Sequence, residues 1–128
     1  MAGVSKGAIG EVAAARFLRE KGYDIVSSNY RCRQGEMDII AAKGDYIAFV
    51  EVKTRCEEAM YSPREAVTAS KQRRLIQTAA IYLGKYPTSL QPRFDVIEVV
   101  TAKESPFKIV EINHILGAYE TGDLSRAF

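Results

Sequence analysis

The sequence has few of the residues from which common metal and nucleophile sites are built. It contains two cysteines, Cys32 and Cys56, and one histidine, His114. Two cysteines do not make a zinc-binding set, and neither a nucleophilic serine or cysteine constellation nor a glycine-rich phosphate loop is present. We interpret the cysteines as reduced thiols of a cytoplasmic protein and His114 as an incidental residue at a strand end. These absences exclude zinc-finger, acyl-transfer and P-loop chemistry.

Net charge and long apolar runs are also scarce. The 18 basic and 16 acidic residues give a net charge of +2, which is too small for a bulk nucleic-acid-binding signature, so any such surface must come from local clustering. No signal peptide or membrane-spanning run is visible, so neither export nor a membrane partner is indicated. Because 47% of the 128 residues are hydrophobic and no linker or repeat interrupts them, we expect one domain over residues 1–128.

Charged residues interrupt two strand-like segments that are otherwise apolar. Asp38 begins one of them, and Glu51 and Lys53 end the other. Between the segments lies Gly44-Asp45, a favoured two-residue hairpin loop, because glycine tolerates the positive φ that a type II′ turn demands at its first position. With this loop, Asp38 falls directly opposite Glu51.

This predicted register brings two acids and a lysine together. Directly opposed side chains share a face with Cβ atoms about 5 Å apart, and period-2 alternation adds Lys53 and Glu36 to that face. Two ionised carboxylates so close are costly without a cation, and their oxygens suit Mg²⁺ or Mn²⁺. Lys53 could polarise a phosphate or position the attacking water. The pattern predicts phosphodiester hydrolysis, and an ordinary solvated Glu–Lys pair is the alternative.

These residues carry a family resemblance. Asp38 with Glu51-Val-Lys53 is similar to the PD-(D/E)xK nuclease signature, with Met37 where that signature often has proline. Within that superfamily the sequence most resembles a bacterial uncharacterised family known as YraN or UPF0102, predicted endonucleases similar to archaeal Holliday junction resolvases. The resemblance covers roughly residues 7–100, in the segments Gly10-Glu-Val-Ala-Ala14, Asn29-Tyr-Arg31, Gly35-Glu-Met-Asp-Ile-Ile40, Phe49-Val-Glu-Val-Lys-Thr-Arg55, Lys71-Gln-Arg-Arg-Leu75 and Arg93-Phe-Asp-Val96.

The resemblance implies an activity, a cofactor and a partner. The expected function is hydrolysis of DNA by a Mg²⁺-dependent endonuclease, with branched or junction DNA as substrate by analogy. The metal ligands would be Asp38, Glu51, the Val52 carbonyl and Glu11 of the first helix, and the catalytic set would be Asp38, Glu51, Lys53 and Glu11. An acid that merely complements the helix dipole is the alternative for Glu11. Junction resolution needs two symmetric cuts, so it would imply a homodimer.

Basic residues gather in two places that suit a DNA backbone, which proteins contact mainly through Lys and Arg. Three arginines flank the predicted site. Further cations open the second predicted helix, where they oppose the helix dipole and so do not stabilise the helix. A tyrosine beside the first group could stack on a splayed base. The alternative for each residue is an ordinary solvated face. The predicted nucleic-acid contacts are Tyr30, Arg31, Arg33, Arg55, Lys71 and Arg74.

Hydrophobic periodicity predicts an α/β fold, with a mixed sheet of about five strands flanked by helices; the resemblance makes this sheet restriction-endonuclease-like. The predicted helices run from Ser5 or Lys6 to Lys21 and from a cap at Thr68 or Ser70 to about Leu83, and Gly84 and Pro87 close the second. The predicted strands cover 23–31, 37–42, 46–53, 93–101 and 108–114. The central strands are apolar on both faces, which predicts cover on both sides. Residues from about 118 to 128 are expected to form a weakly structured tail.

The sequence leaves two further functions open. The chain could be a catalytically inactive nucleic-acid-binding module of the same fold, or a structural or partner-binding domain. Asp95 begins the fourth predicted strand, and we interpret it as a structural partner of Arg93 or another cation rather than as a catalytic acid.

Overall fold

The computed structural model describes residues 5–58 and 67–119, which form two helices and five strands. The predicted α/β class is confirmed, whereas the predicted polar loop around Pro63 lies outside the described residues. In chain order the elements are α1 (Lys6–Glu20), β1 (Asp24–Cys32), β2 (Gly35–Lys43), β3 (Tyr46–Cys56), α2 (Ala69–Lys85), β4 (Gln91–Ala102) and β5 (Ser105–Ile115).

The strands form one mixed sheet in the order β1-β2-β3-β4-β5. Neighbouring strands are antiparallel, except that β3 and β4 are parallel. Parallel neighbours need a crossover connection, and α2 lies in the segment that makes it. The β3–β4 pairing runs from Tyr46–Gln91 to Cys56–Thr101, so these two strands form the unbroken centre of the sheet.

The β2–β3 hairpin has the predicted loop and the predicted register up to Ile39–Val50, whereas the predicted Asp38–Glu51 pair is not part of the β2–β3 pairing. Its pairs run from Lys43–Tyr46 beside the loop to Ile39–Val50. Gly44 has a φ of 58°, while the second loop residue does not have a positive φ, which fits a type II′ turn. The hairpin therefore places the two signature segments side by side as the sequence predicts.

The first helix covers one face of the sheet. It begins after Ser5, whose Oγ accepts from the Ala8 N–H at 3.1 Å, and ends before Gly22, whose φ is 92°. Such a left-handed residue is the usual cap at a helix C-terminus. The core on this face consists of Ala14, Leu18, Tyr23, Ile39, Ala41, Ala48, Val50, Ile97 and Val99.

The second helix covers the opposite face and is longer than predicted. Thr68 Oγ1 accepts from the Lys71 N–H at 3.1 Å, and the helix continues through Gly84 to Lys85. Gly84 costs helix stability without blocking it, and the rings of Tyr82 and Tyr86 meet across the last turn at 4.9 Å. The core on this face consists of Met37, Ile40, Ile47, Phe49, Leu75, Ala79, Tyr82 and Phe94. Both predicted covering layers are present.

Asp95 joins β4, β5 and the start of β1 through a buried network. It is 1% exposed and accepts two hydrogen bonds from Arg93 at 2.9 Å and one from the Gly117 N–H at 3.0 Å. His114 Nε2 lies 2.9 Å from the same carboxylate, and Arg93 also donates to the Tyr23 hydroxyl at 2.7 Å. Burial raises the pKa of Asp95, but these hydrogen bonds outweigh burial and hold it below its ordinary value. The predicted pairing with Arg93 is confirmed, and His114 is part of the network rather than incidental.

The end of the described chain is anchored to the sheet. The Ala118 N–H donates to the Phe94 carbonyl at 2.8 Å, and the Tyr119 ring lies 5.3 Å from the Phe94 ring. These two residues belong to the segment that we expected to be weakly structured, and the rest of that segment lies outside the described residues. Neither described helix combines the length and the apolar character that a membrane crossing requires.

Candidate functional site

The sheet opens between β2 and β3 at the end of the hairpin that is distant from its loop. Beyond the Ile39–Val50 pair, β2 continues beside β1, and β3 continues beside β4. Asp38 lies at this opening, and its Oδ2 accepts from the Val52 N–H at 2.8 Å. A side chain thus satisfies a backbone donor that a strand would otherwise pair. We call this opening, bounded by Asp38, Glu51 and Val52, the fork.

Glu51 and Lys53 both face the α2 side of the sheet. They alternate with Phe49 along β3, which packs in the core beneath α2, and side chains two residues apart share a face of a strand. On β2, Met37 and Ile40 both pack in that core, so strict alternation does not hold across Asp38. Asp38 instead meets β3 through its hydrogen bond from the Val52 N–H, between Glu51 and Lys53.

Glu51 is 6% exposed and only half satisfied. Its Oε1 contacts the Lys71 ammonium, whereas its Oε2 is buried and has no hydrogen-bond partner among the described residues. A buried carboxylate oxygen without a donor is costly, and such an atom calls for an explanation such as an ion. Glu51 Oε2 is therefore the candidate ligand atom of the fork.

Burial and neighbouring negative charges both disfavour the ionised form of Asp38. Burial raises the pKa of Asp38 to about 6, and the charges of Glu11, Glu51 and Glu36 act in the same direction, while the hydrogen bond from Val52 partly opposes them. Nearby carboxylates disfavour ionisation, and a bound cation would reverse that effect. Asp38, which the sequence predicts as a metal ligand, is thus an acid whose ionised form is destabilised by its surroundings.

The charge of Glu11, on α1, acts on Asp38. The helix lies close to β3 at the preceding residue, where a Cβ atom on Gly10 would overlap Thr54 Oγ1. Within residues 5–58 and 67–119, however, no group of three or more His, Cys, Asp or Glu side chains is arranged to hold a metal ion. The fork as described offers two carboxylates, and a ligand role for Glu11 stays a prediction.

Three of the predicted nucleic-acid contacts face solvent. Arg33, in the turn between β1 and β2, and Arg74, on the exposed side of α2, are both exposed. Arg31 is also exposed, although its Nε pairs with Glu36 at 3.1 Å. We expected Glu36 to lie opposite Lys53 on β3. The β2–β3 pairing ends at Ile39–Val50 and does not extend to Glu36. On the other side of β2, Glu36 is the register partner of Arg31 on β1.

Two of the predicted contacts have partners inside the molecule. The Tyr30 ring meets the Tyr82 ring edge-on at 5.2 Å, so its first role is packing beneath α2. The Arg55 side chain is 17% exposed, and its guanidinium lies 3.5 Å from Glu98. Neither side chain is as accessible as the sequence suggests.

Sequence analysis missed Glu98. This residue is buried in β4, accepts from Asn113 Nδ2 at 3.3 Å, and lies directly across from Lys53 in the β3–β4 register. Its signal was available, because it is an acid within the apolar run 94–100, the same kind of interruption that singles out Glu51. A second unnoticed feature is Asn29, which has a φ of 55° and lies across from Asp38 on β1.

Comparison with known sequences identifies the family. The profile of the uncharacterised protein family UPF0102 matches residues 10–99. A UPF0102 protein from Caldanaerobacter subterraneus is 41% identical over 88% of this chain and 93% of its own length. A UPF0102 protein from Symbiobacterium thermophilum is 51% identical over 73% and 80%, and one from Chlorobaculum tepidum is 44% identical over 91% and 93%. The chain therefore belongs to the uncharacterised protein family UPF0102.

Proposed function

We propose that this chain is a metal-dependent endonuclease of the PD-(D/E)xK superfamily that hydrolyses phosphodiester bonds in DNA. The observation that carries the proposal is the fork, where Asp38 and Glu51 lie on the two strands of an opening sheet and Lys53 lies on the same face as Glu51. Buried acids that repel each other are not retained for packing. A cation and a phosphate account for all three side chains.

The donor set of the fork fits Mg²⁺ or Mn²⁺. Asp38, Glu51 Oε2 and the Val52 carbonyl would hold the ion, with Glu11 as a further proposed ligand. These are hard oxygen donors, and such ions accept one or two carboxylates and keep places for water and phosphate. The buried, unpartnered Glu51 Oε2 and the raised pKa of Asp38 both indicate a place for positive charge. When bound, the cation would polarise the scissile phosphate and balance its developing charge.

Lys53 would act on the phosphate from beside the carboxylates. Its ammonium can donate to a phosphate oxygen and orient the attacking water, and both actions favour the transition state over the bound substrate. Glu98 lies directly across from Lys53 in the neighbouring strand, which keeps a negative partner near the ammonium. In this role Lys53 would assist the reaction without forming a covalent bond to the substrate.

The substrate that we propose is DNA, with branched or junction DNA as the form to test first. Arg33 and Arg74 lie at the fork end of the molecule with exposed side chains, and Arg31 can exchange its exposed ion pair for a phosphate at little cost. Tyr30 and Arg55 already have internal partners, so we propose them as secondary contacts.

A second copy of this chain is the protein partner that we propose, because two cuts related by symmetry need two sites. A groove of about 480 Å³ between α1 and β5 offers a surface for it. Val12 and Phe107 on this groove are each 71% exposed, and large exposed apolar patches mark interaction sites. Arg16 and Glu20 line the same groove and have opposite charges, and in the two-fold dimer that we propose each would face the other's copy.

A catalytically inactive DNA-binding module of the same fold is the second candidate. The observation that favours it is the contact between Lys71 and Glu51, which neutralises one carboxylate without a metal. The two candidates differ in one respect only, because both need the basic surface but only the nuclease needs Asp38 and Lys53.

A cleavage screen with Mg²⁺ and Mn²⁺ on duplex, single-stranded, flap and four-way DNA tests the proposal. We expect cleavage of at least one substrate, and a loss of at least about 100-fold in Asp38→Ala and in Lys53→Ala. Asp45→Ala, at the far end of the same hairpin, is the matched control and should cleave normally.

Other outcomes separate the alternatives. Salt-dependent DNA binding that persists in the Asp38→Ala/Lys53→Ala protein, with no cleavage by the unmodified protein, would identify a binding module. Absence of DNA binding, together with no carboxylate-dependent Mn²⁺ binding by calorimetry, would leave a structural or partner-binding domain.

A further inference from the structure

Lys71 makes the one direct contact with a fork carboxylate from outside the sheet that the described residues show. It is the third residue after the cap of α2, and its backbone N–H is held by Thr68 Oγ1 at 3.1 Å. From there its side chain, which is 47% exposed, reaches Glu51, whose side chain is 7% exposed. A half-exposed lysine side chain therefore touches a buried carboxylate.

Helix stability does not explain this lysine. The first turn of α2 contains no acidic residue, and a cation there opposes the helix dipole. The contact with Glu51 offsets that cost, because a buried carboxylate without a counter-charge is strongly unfavourable. The position of Lys71 is thus explained by the charge of Glu51.

The contact satisfies only one of the two oxygens. Lys71 meets Glu51 Oε1, while the buried Oε2 has no partner among the described residues, and Asp38 accepts from the Val52 N–H beside Glu51. One ammonium therefore leaves half of the Glu51 carboxylate without a partner. A divalent cation bound between Asp38 and Glu51 would supply twice the charge, and it would repel an ammonium held on the same carboxylate.

We propose that Lys71 is a tethered counter-ion for Glu51 that a divalent cation displaces, and that the freed ammonium then contacts a phosphate of the substrate. This inference rests on the proposed metal site. It assigns Lys71 to positioning and charge exchange rather than to catalysis. By thermodynamic linkage, metal binding would raise DNA affinity through Lys71, and DNA would raise metal affinity to the same extent.

Calorimetric titration of the full-length protein with Mn²⁺, without DNA, tests the competition directly. Lys71→Met should bind Mn²⁺ at least about tenfold more tightly than the unmodified protein, because a neighbouring opposite charge shifts carboxylate equilibria by about one to three log units. Lys71→Arg, which retains the charge, should stay near the unmodified affinity. Lys71→Gln gives a second neutral replacement if the methionine variant does not fold.

The matched control is Arg73→Met. Arg73 is an exposed cation in the same part of α2, and it forms no ion pair with another residue of the described chain, so its loss should change Mn²⁺ affinity less than twofold. If Arg73→Met tightened Mn²⁺ binding as much as Lys71→Met does, the effect would come from the loss of any nearby positive charge. That result would overturn the inference.

Two further outcomes distinguish this inference from the function that underlies it. Unchanged or weaker Mn²⁺ binding in Lys71→Met, with normal binding by the unmodified protein, would overturn the counter-ion role and leave the metal site intact. Absence of Mn²⁺ binding in both proteins would remove the metal site and this inference with it. In the supporting case, adding Mn²⁺ should strengthen binding of an uncleavable phosphorothioate DNA more in the unmodified protein than in Lys71→Met.

Discussion

Two aspartates show at the residue scale how position changes the properties of one functional group. Asp95 and Asp38 are both aspartates near the centre of the sheet, yet hydrogen bonds hold the pKa of Asp95 below its ordinary value, while burial raises that of Asp38 to about 6. Asp95 has three hydrogen-bonding residues around it, and Asp38 has one backbone donor and three acidic neighbours. The hydrogen bonds around Asp95 stabilise its negative charge within the fold. The negative charge of Asp38 would instead be stabilised by a bound cation.

Metal binding should therefore depend on pH around the pKa of Asp38. Because the ion needs the carboxylate form, Mn²⁺ affinity should fall by up to about tenfold per unit as the pH drops below about 6, and level off above it. Calorimetric titrations between pH 5 and pH 8 would measure this. Asp24→Asn, which changes an exposed acid on β1, should leave the profile unaltered; a flat profile in the unmodified protein would contradict the assignment.

The same pKa makes a prediction about stability. The pKa of Asp38 is higher in the folded chain than its ordinary value of 3.8, so ionisation destabilises the fold, and this destabilisation grows as the pH rises from about 4 through about 6. Asp38→Asn should raise the free energy of unfolding by about 1–2 kcal/mol at pH 7.5, after allowance for solvent screening, and by little at pH 4. Urea denaturation at the two pH values measures the difference, and a loss of stability at pH 7.5 would refute it.

At the scale of elements, α1 and β3 are held together at one glycine. Gly10 lies against Thr54 without room for a side chain, whereas Gly7, one turn earlier in the same helix, has no atom of another residue within 4 Å of a Cβ. Glu11, whose charge acts on Asp38, is the next residue along this helix. A substitution at Gly10 should thus affect both stability and the acidic environment of Asp38.

Gly10→Ala should reduce the free energy of unfolding by about 1–3 kcal/mol through overpacking. Gly7→Ala is the matched control, and it should be neutral or stabilising by up to about 1 kcal/mol because alanine favours the helix. Thermal denaturation of both variants gives the comparison. Equal effects at the two glycines would show that Gly10 does not set the distance between α1 and β3.

The elements were largely predictable because each has a local signal. Gly44 fixed the hairpin loop and hence the register that sets Asp38 near Glu51, and Ser5 and Thr68 marked both helix starts. The helix α2 continues through Gly84 to Lys85, two residues beyond its predicted end, and β3 and β5 extend up to three residues beyond their predicted bounds. Local pattern therefore specified the elements and the β2–β3 pairing better than it specified where the elements end.

The site was predictable where it depends on the hairpin and less so where it depends on distant strands. Alternation placed Glu51 and Lys53 on one face, but the separation of β2 from β3, which gives Glu36 to Arg31, has no signature in the local pattern. Glu98 becomes a neighbour of Lys53 only through the parallel pairing with β4. Such contacts join residues far apart in sequence, so they need the tertiary structure.

At the scale of the whole molecule, the fork and the α1–β5 groove lie in different parts of the fold. Glu51 and Lys53 of the fork face α2, and the groove lies between α1 and β5 on the face that α1 covers. Two copies joined through their grooves would leave both forks accessible. This arrangement suits a protein that cuts two strands of one substrate.

Charge reversal offers a sharp test of this assembly. Arg16→Glu should shift the dimer equilibrium towards monomer by placing like charges across the two-fold axis, and Arg16→Glu combined with Glu20→Arg should restore the dimer. Sedimentation velocity over a range of concentrations measures both. Val26→Asp, at an exposed apolar residue on β1, is a control that should not matter, and an unmodified chain that stays monomeric throughout would exclude the dimer.

The parallel pairing of β3 with β4 also imposes an order on how the chain acquires its structure. The β1–β2 and β2–β3 hairpins join neighbours in sequence and can form within microseconds, whereas β4 docks only after the chain has closed the loop that contains α2. Lys71 and Glu98 reach Glu51 and Lys53 in that later step. We therefore expect the hairpin that carries Asp38 and Glu51 to form early in folding. The contacts of the fork with α2 and β4 should form last, when the β3–β4 crossover closes.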